Sequence, residues 1–440
     1  MITIKKSSIN NHILMLLCLC IAAVLCIGHI TGSRLFVTFA MAVFMAAIVF
    51  TSMVGKALYV VCFFLAWAPL MKFEPGTMSL YTVGLIGVCV LTWLRYRMMI
   101  QQYVLPAMAL IMLTVVVRLF YGLGIDNSFI MFCIILLLFP VIGHDLHKTY
   151  DFYHLNLFFS IGVISAALSA CFLVQYSSIA KFIDVYSWNE ITRYSGYYGD
   201  ANFYSAHISA ALAGLMIQFL GSRKRMWGSI LLSVLLLYCG FLSASKSFVI
   251  TVAVIALLGI LQIFSVRRNI SDKIMTVMTV IAVVVGIVAS NAFADVFRVI
   301  AIRFGNTSDL YSLTTGRSAI WMDYLRYMES NPVIIFFGKG YVNIFVAGHS
   351  THNTLLQGVY QFGIVGLSIF IMWMVGLFKI SLKSVKIERK QYLPCLILLV
   401  GVIMPWMGID LLFFDEFFLM MFYISLGFKW IQEQSAEVAQ

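Results

Sequence analysis

The chain has 440 residues, 62% hydrophobic and 11% charged, with a mean hydropathy of +0.98 and a formal net charge of +11. Soluble domains carry roughly a quarter charged residues, so an ordinary water-soluble protein is excluded. The nine cysteines sit in apolar runs with no C-x-x-C pair, which argues against a disulfide or zinc framework and makes them small buried hydrophobes.

Long apolar runs recur from end to end. Lipid admits only helices or closed barrels, and these runs are continuous rather than alternating. The expected fold class is therefore all-α: a polytopic integral membrane protein of about fourteen transmembrane helices (twelve to fourteen). The candidate spans are roughly 12–30, 35–54, 57–72, 78–95, 104–122, 128–143, 155–175, 202–220, 226–243, 247–265, 274–290, 354–378, 392–409 and 413–429. The first follows Lys5 and Lys6 and lacks a small-residue cleavage site. With more spans behind it, it reads as a span and not as a signal peptide.

Charge orders these spans. With the N-terminus inside, the even-numbered loops and both termini hold eighteen of the 29 Lys and Arg but only six of the 18 acids. This positive-inside bias puts both termini in the cytoplasm. It also accounts for the basic pI without any nucleic acid. Two outward loops are long, 176–201 and 291–353, and long loops in a compact protein carry function or are disordered. Their aromatic and ionisable content favours function. No internal repeat or low-complexity tract is visible, so the simplest partition is one integral domain, 1–440, with a lid-like outer loop.

The first outer loop holds Tyr186, Trp188, Tyr194, Tyr197 and Tyr198 with Arg193, Asp200 and Asn202. Such rings suit sugar faces and also membrane interfaces. Arg193 is placed to pair with Glu190 or Asp200, or to grip a phosphate in a bidentate fork. Lys246 stands at the next outer turn among Ser243, Ser245 and Ser247. It is either a snorkelling lysine or part of an anion site at a helix start. The long loop predicts two amphipathic helices, around 294–304 and 316–329. The second, with Arg317 in its first turn, is capped by Thr314 or Thr315 and stopped by Asn331-Pro332.

His349 and His352 follow, three residues apart, just before Asn353 and a membrane helix. An H-x-x-H pair can ligate zinc, but no third ligand stands at a telling spacing. The pair can serve in hydrogen bonding alone, or His352 can act as a general base. Gly358, Gly363 and Gly366 would let a neighbour pack closely on that helix.

The stretch H-N-x9-G-x-x-G from His352 to Gly366 resembles the signature of the O-antigen ligase and polymerase superfamily. Three further segments resemble that family in the same order: G-x-x-G-D-x-N at 196–202, S-x-S-K at 243–246 with lysine where arginine is usual, and T-G-R at 315–317 followed by Trp321. The resemblance implies a metal-independent membrane glycosyltransferase with a glycosyltransferase class C-like fold, no cofactor, and a site outside the bacterial cytoplasmic (inner) membrane. The donor would be an undecaprenyl-pyrophosphate-linked glycan and the acceptor a sugar hydroxyl. Carried over, His352 is the base, and Arg193, Lys246 and Arg317 hold the pyrophosphate. His349, Asn353 and Asp200 are secondary candidates.

Fourteen spans and two large outer loops favour a Wzy-type polymerase of O-antigen, capsule or exopolysaccharide repeat units, with a chain-length regulator and a flippase as partners. The alternative is an O-antigen ligase acting on lipid A-core, whose members usually have fewer spans. A lipid-linked glycan transporter would need ionisable groups near the mid-membrane, for which Arg118 and His207 are the candidates.

Overall fold

The computed structural model describes residues 10–75, 77–96, 103–143, 146–183, 185–188, 191–221, 226–265, 274, 278, 294–305, 309–342, 345–382, 385–410 and 415–437. The expected span at 274–290, apart from residues 274 and 278, lies outside the described residues. The first seven main helices are α1 (Asn11–Ile30), α2 (Arg34–Val54), α3 (Ala57–Phe64), α4 (Leu80–Tyr96), α5 (Val104–Phe120), α6 (Asn127–Leu138) and α7 (Phe152–Leu173). After them come α8 (Ala201–Gly221), α9 (Met226–Phe241), α10 (Lys246–Ser265), α11 (Ala294–Gly305), α12 (Arg317–Ser330), α13 (Pro332–Phe337), α14 (Thr354–Ser381), α15 (Tyr392–Ile403) and α16 (Asp415–Glu437).

Local chemistry sets these boundaries. Asn10, Asp126 and Asp151 cap α1, α6 and α7 by accepting main-chain amides of the first turn. Gly55, in the left-handed region at φ +74°, closes α2. The stretches containing Pro69, Pro140 and Pro405 tighten into 3-10 turns after α3, α6 and α15, where a proline cannot donate to the helical ladder.

Among the described residues seven helical stretches are long and apolar enough to cross a membrane: α1, α2, α7, α8, α10, Thr354–Lys379 and Arg389–Gly408. Five more apolar helices are shorter, Ala57–Leu70, Leu80–Arg95, Val104–Phe120, Asn127–Gly143 and Trp227–Phe241. Among the described residues, length and composition alone return these seven, on a bundle whose outer faces are apolar. Helix α5, for example, turns Leu105, Met112, Val116 and Leu119 outward and buries Ala107, Leu110, Thr114 and Val117. A stripe of that kind is what lipid requires of a membrane helix.

Helix α8 is the hub, packing against α7, α9, α10 and α15. Small residues bring the backbones close. A Cβ on Gly401 of α15 would lie 2.2 Å from Ala213 Cβ and 2.9 Å from the Ser209 carbonyl of α8. Near this contact Tyr423 donates to Asn156 Oδ1, which lies 2.6 Å away. The α8–α15 contact matters for function because the chain that leaves α15 enters the site.

The long loop 176–201 departs from an all-helical expectation. Strands β1 (Val185–Trp188) and β2 (Ile191–Tyr194) form an antiparallel hairpin with Tyr186 opposite Arg193. Its residues are mainly β-branched and aromatic, types that fit a pleated ribbon. The nine cysteines are unpaired; six are buried, and Cys20, against expectation, is exposed on the outer face of α1.

Candidate functional site

The N-termini of α8, α10 and α14 converge at one end of the bundle, where each presents the positive end of its dipole. The motifs that begin those helices are bonded to one another. Asp200 Oδ1 accepts the Asn202 amide at 2.6 Å and its side-chain Nδ2 at 2.9 Å. Asn202 Oδ1 in turn accepts the Ser245 hydroxyl at 3.0 Å. Ser245 also receives the Phe248 amide, which caps α10. Arg193 Nε donates to the Ser243 carbonyl at 3.1 Å, and the Tyr194 amide donates to Leu242, so the hairpin is tied to the turn before α10. Hence G-D-x-N, S-x-S-K and Arg193 form one connected unit.

The histidine loop is held from two sides. Trp321 Nε1 of α12 donates to the Thr351 carbonyl at 3.1 Å, and the Tyr324 hydroxyl donates to the His349 carbonyl at 2.8 Å. From the other side Asp410, at the end of the 3-10 turn after α15, accepts the His352 amide at 3.1 Å and the Asn353 amide at 3.2 Å. It also accepts the Thr351 hydroxyl. These bonds hold His352 at φ +45°, in the left-handed region. Asn353 then caps α14, its Oδ1 accepting the Leu355 and Leu356 amides at 3.0 and 3.1 Å.

Arg193, Asp200, Asn202, Lys246, Ser247, Arg303, Arg317, Trp321 and His352 line one cavity of about 520 Å³. Ile250, Ile320, Met404, Met407 and Gly408 complete its apolar wall. The four principal candidates, His352, Arg193, Lys246 and Arg317, meet there, together with Asp200. Asn353 is buried behind the loop as a helix cap, and His349 is exposed outside the cavity lining. Among the described residues no three His, Cys, Asp or Glu side chains gather to hold a metal.

Electrostatics follow from this crowding. Burial first, then the Arg317 guanidinium, pushes the His352 imidazole below its ordinary value, against the opposing pull of Asp410 and Asp200. Burial also lowers Arg317, opposed chiefly by Asp200. Burial, then Arg193 and Arg317, pushes Arg303 down to about 10. At neutral pH this leaves a neutral imidazole facing charged guanidinium groups.

Several expectations change in detail. Ser243 and Ser245 are buried, and their hydroxyls donate to Gly240 and Asn202; of the three serines around Lys246, Ser247 lines the cavity. Thr314 receives the Ser318 amide at the start of α12, whereas Thr315 adopts φ +57° and Gly316 precedes the helix. Tyr197 is buried with its hydroxyl 2.9 Å from Ser169, and Tyr198 stacks on His207 and donates to the Leu65 carbonyl. Both rings serve as internal anchors, neither as a sugar platform nor as an interfacial belt. Glu190 lies outside the described residues, as do the side chains of Tyr186 and Trp188.

The G-x-x-G half of the motif has its own geometry. Helix α14 breaks at Gly363, φ +61° and ψ −177°, a conformation open essentially to glycine. A Cβ there would lie 2.4 Å from the Phe336 carbonyl. Beside the break the Lys339 and Gly340 amides donate to the Tyr360 and Gln361 carbonyls, each at 2.9 Å. Gly363 therefore seats the end of α13, whereas Gly366 packs beside Leu110 and Leu113 of α5. Arg118 clamps the same segment. It donates to the Tyr341 carbonyl at 2.7 Å and pairs with Asp126 at 2.9 Å.

Two residues enter the site that the sequence did not single out, Asp410 and Arg303. Asp410 had one signal: an acid isolated between two apolar stretches is expensive near lipid and marks a partner. Arg303 had none beyond its place on an amphipathic helix, because the face it turns to the cavity depends on how α11 packs. No protein-family model matches the chain, and no curated protein matches it.

Proposed function

We propose that the chain polymerises undecaprenyl-pyrophosphate-linked oligosaccharide repeat units of O-antigen, capsule or exopolysaccharide. The reaction takes place on the outer face of the bacterial cytoplasmic membrane. The observation that carries this reading is the convergence on one cavity of His352 with Arg193, Lys246 and Arg317, contributed by four separate segments. The acceptor sugar hydroxyl attacks the anomeric carbon of the donor. As the new C–O bond forms, the bond from that carbon to the pyrophosphate oxygen breaks. His352 takes the hydroxyl proton, and an imidazole kept neutral by its surroundings is fit to do so. The departing pyrophosphate carries away the bonding electrons, and the surrounding cations stabilise the charge it gains. No step in this scheme calls on a metal or cofactor.

On this reading the seven long helices, the five shorter ones and α16 are joined by the span that the sequence predicts at 274–290, outside the described residues but for 274 and 278, to make fourteen, with both termini cytoplasmic. The transporter alternative loses ground. Arg118 is spent on loop carbonyls and Asp126, and the His207 ring is 2.8 Å from the Phe203 carbonyl through Nδ1.

The test replaces His352 with Ala in the native host and resolves the surface polysaccharide on a gel beside a null of the gene, with protein level checked. Loss of product at normal protein level is expected. A null that leaves single repeat units on the lipid A core marks a polymerase. A null that leaves long chains on undecaprenyl pyrophosphate marks the ligase instead. Full activity in His352→Ala removes the base assignment.

A further inference from the structure

Lys246 and Arg303 line the same cavity but are held differently. Lys246 Nζ donates to the Ser312 carbonyl at 2.7 Å and lies 5.6 Å from the centre of the Phe304 ring. So tied, it braces the turn that leads through Thr314 and Gly316 to Arg317. Arg303 Nε, by contrast, is shut off from solvent and has no hydrogen-bond partner among the described residues. A buried donor on a cation, left without an acceptor, is among the more costly features a protein can carry.

The charges around it sharpen the demand for an acceptor. Arg193, Lys246, Arg303 and Arg317 line the cavity, and the carboxylate that faces them there is Asp200. Asp200 Oδ1 already receives Asn202, and both oxygens of Asp410 receive the histidine loop. Walls of Ile250, Ile320, Met404 and Met407 limit screening. The arrangement fits a multiply charged anion that approaches α11 as well as α10 and α12.

We propose that Arg303 is a direct ligand of the diphosphate group of the lipid-linked substrate. It supplies the planar fork that an ammonium at position 246 cannot make, and Lys246 positions the turn before α12 while contributing its charge. This rests on the function proposed above and adds one residue to its site.

The experiment titrates inorganic pyrophosphate into the purified full-length protein in nanodiscs, by calorimetry at low, fixed ionic strength. Arg303→Gln, Arg303→Lys, Lys246→Gln, Arg317→Gln and Arg298→Gln are compared with wild type, each first checked for its melting transition. Arg303→Gln should weaken binding about tenfold or more, the scale of a lost charge-assisted hydrogen bond. Arg303→Lys should recover only part of it, Lys246→Gln should lose less than Arg303→Gln, and Arg298→Gln, the same charge change on an exposed part of α11, should bind as wild type. If Arg303→Gln melts without a transition, Arg303→Lys decides. Wild-type affinity in Arg303→Lys overturns the fork. Wild-type affinity in Arg303→Gln beside loss in Arg317→Gln overturns the proposal and leaves the function standing. Absence of pyrophosphate binding by the wild type overturns both.

Discussion

The carboxylate of Asp410 accepts the main-chain amide of His352 at 3.1 Å, across 58 residues of sequence. The bond joins the end of α15 to the start of α14 and fixes a backbone conformation that histidine adopts reluctantly. The Asn353 amide and Thr351 hydroxyl converge on the same carboxylate, so one side chain sets the loop's position against the cavity.

On the function proposed above, Asp410→Ala should therefore lower glycan transfer by about ten- to a hundredfold, the range expected when a reacting group loses its orientation. The loop amides left unpaired should cost about 1–3 kcal/mol of stability. Asp410→Asn keeps one acceptor and should fall between wild type and alanine. Product ladders normalised to protein level, with a melting curve for each variant, check this. Full activity in Asp410→Ala would mean that the loop holds its shape without the clamp.

The pH dependence of transfer follows from the groups facing His352. A general base works unprotonated, and burial with Arg317 lowers the His352 pKa. Activity should therefore persist as pH falls through the ordinary histidine value of about 6.5 and be lost only below it. Arg317→Gln removes a charge that lowers the pKa, so the acid limb of its residual activity should move up. Asp410→Asn removes one that raises it, so that limb should move down. Rate against pH with a lipid-linked substrate tests all three, and a wild-type limb above 6.5 contradicts the base assignment.

Gly408 separates stability from function. A Cβ at this position would lie 2.7 Å from Arg317 Nη1, the far end of a flexible side chain. The guanidinium can swing away, so Gly408→Ala should change stability by less than about 1 kcal/mol. It should nevertheless reduce transfer about tenfold by moving a cation off the site. A melting temperature near that of wild type with depressed activity is the expected pair. Unchanged activity would place Arg317 outside the reacting geometry.

How far the sequence carried the site depends on the kind of contact involved. His352, Arg193, Lys246 and Arg317 were legible because ionisable residues are conspicuous in the loops between apolar runs. The apolar helices were legible from hydropathy. Where each α-helix stops was not, since the segments containing prolines 69, 140 and 405 turn 3-10 inside stretches that hydropathy reads as continuous. Local bonding was invisible as well. Asn353 is a helix cap, and two of the serines around Lys246 bond inward, facts that depend on rotamers and neighbours. Asp410 and Arg303 required the packing of α15 on α8 and of α11 over the cavity, which no spacing within the chain encodes.

Gly363 offers the sharpest test of the fold around the motif. Its φ of +61° and ψ of −177° exclude other residues on steric grounds, and an added Cβ would stand 2.4 Å from main-chain atoms of Phe336 and Phe337. Backbone cannot swing aside as an arginine head can. Gly363→Ala should therefore cost about 2–5 kcal/mol, from strain and overpacking together. The displaced segment leads to the Lys339 and Gly340 amides, which donate to the Tyr360 and Gln361 carbonyls, so α14 should loosen at its N-terminal end and disturb His352 with it. Gly348 is the control. It shares a positive φ of +80° but has nothing within 4 Å of an added Cβ, so Gly348→Ala should show backbone strain alone, about 1–2 kcal/mol. Melting of the two variants in nanodiscs, with transfer activity alongside, decides it. Equal losses would mean that the contact with Phe336 and Phe337 contributes nothing beyond the glycine conformation.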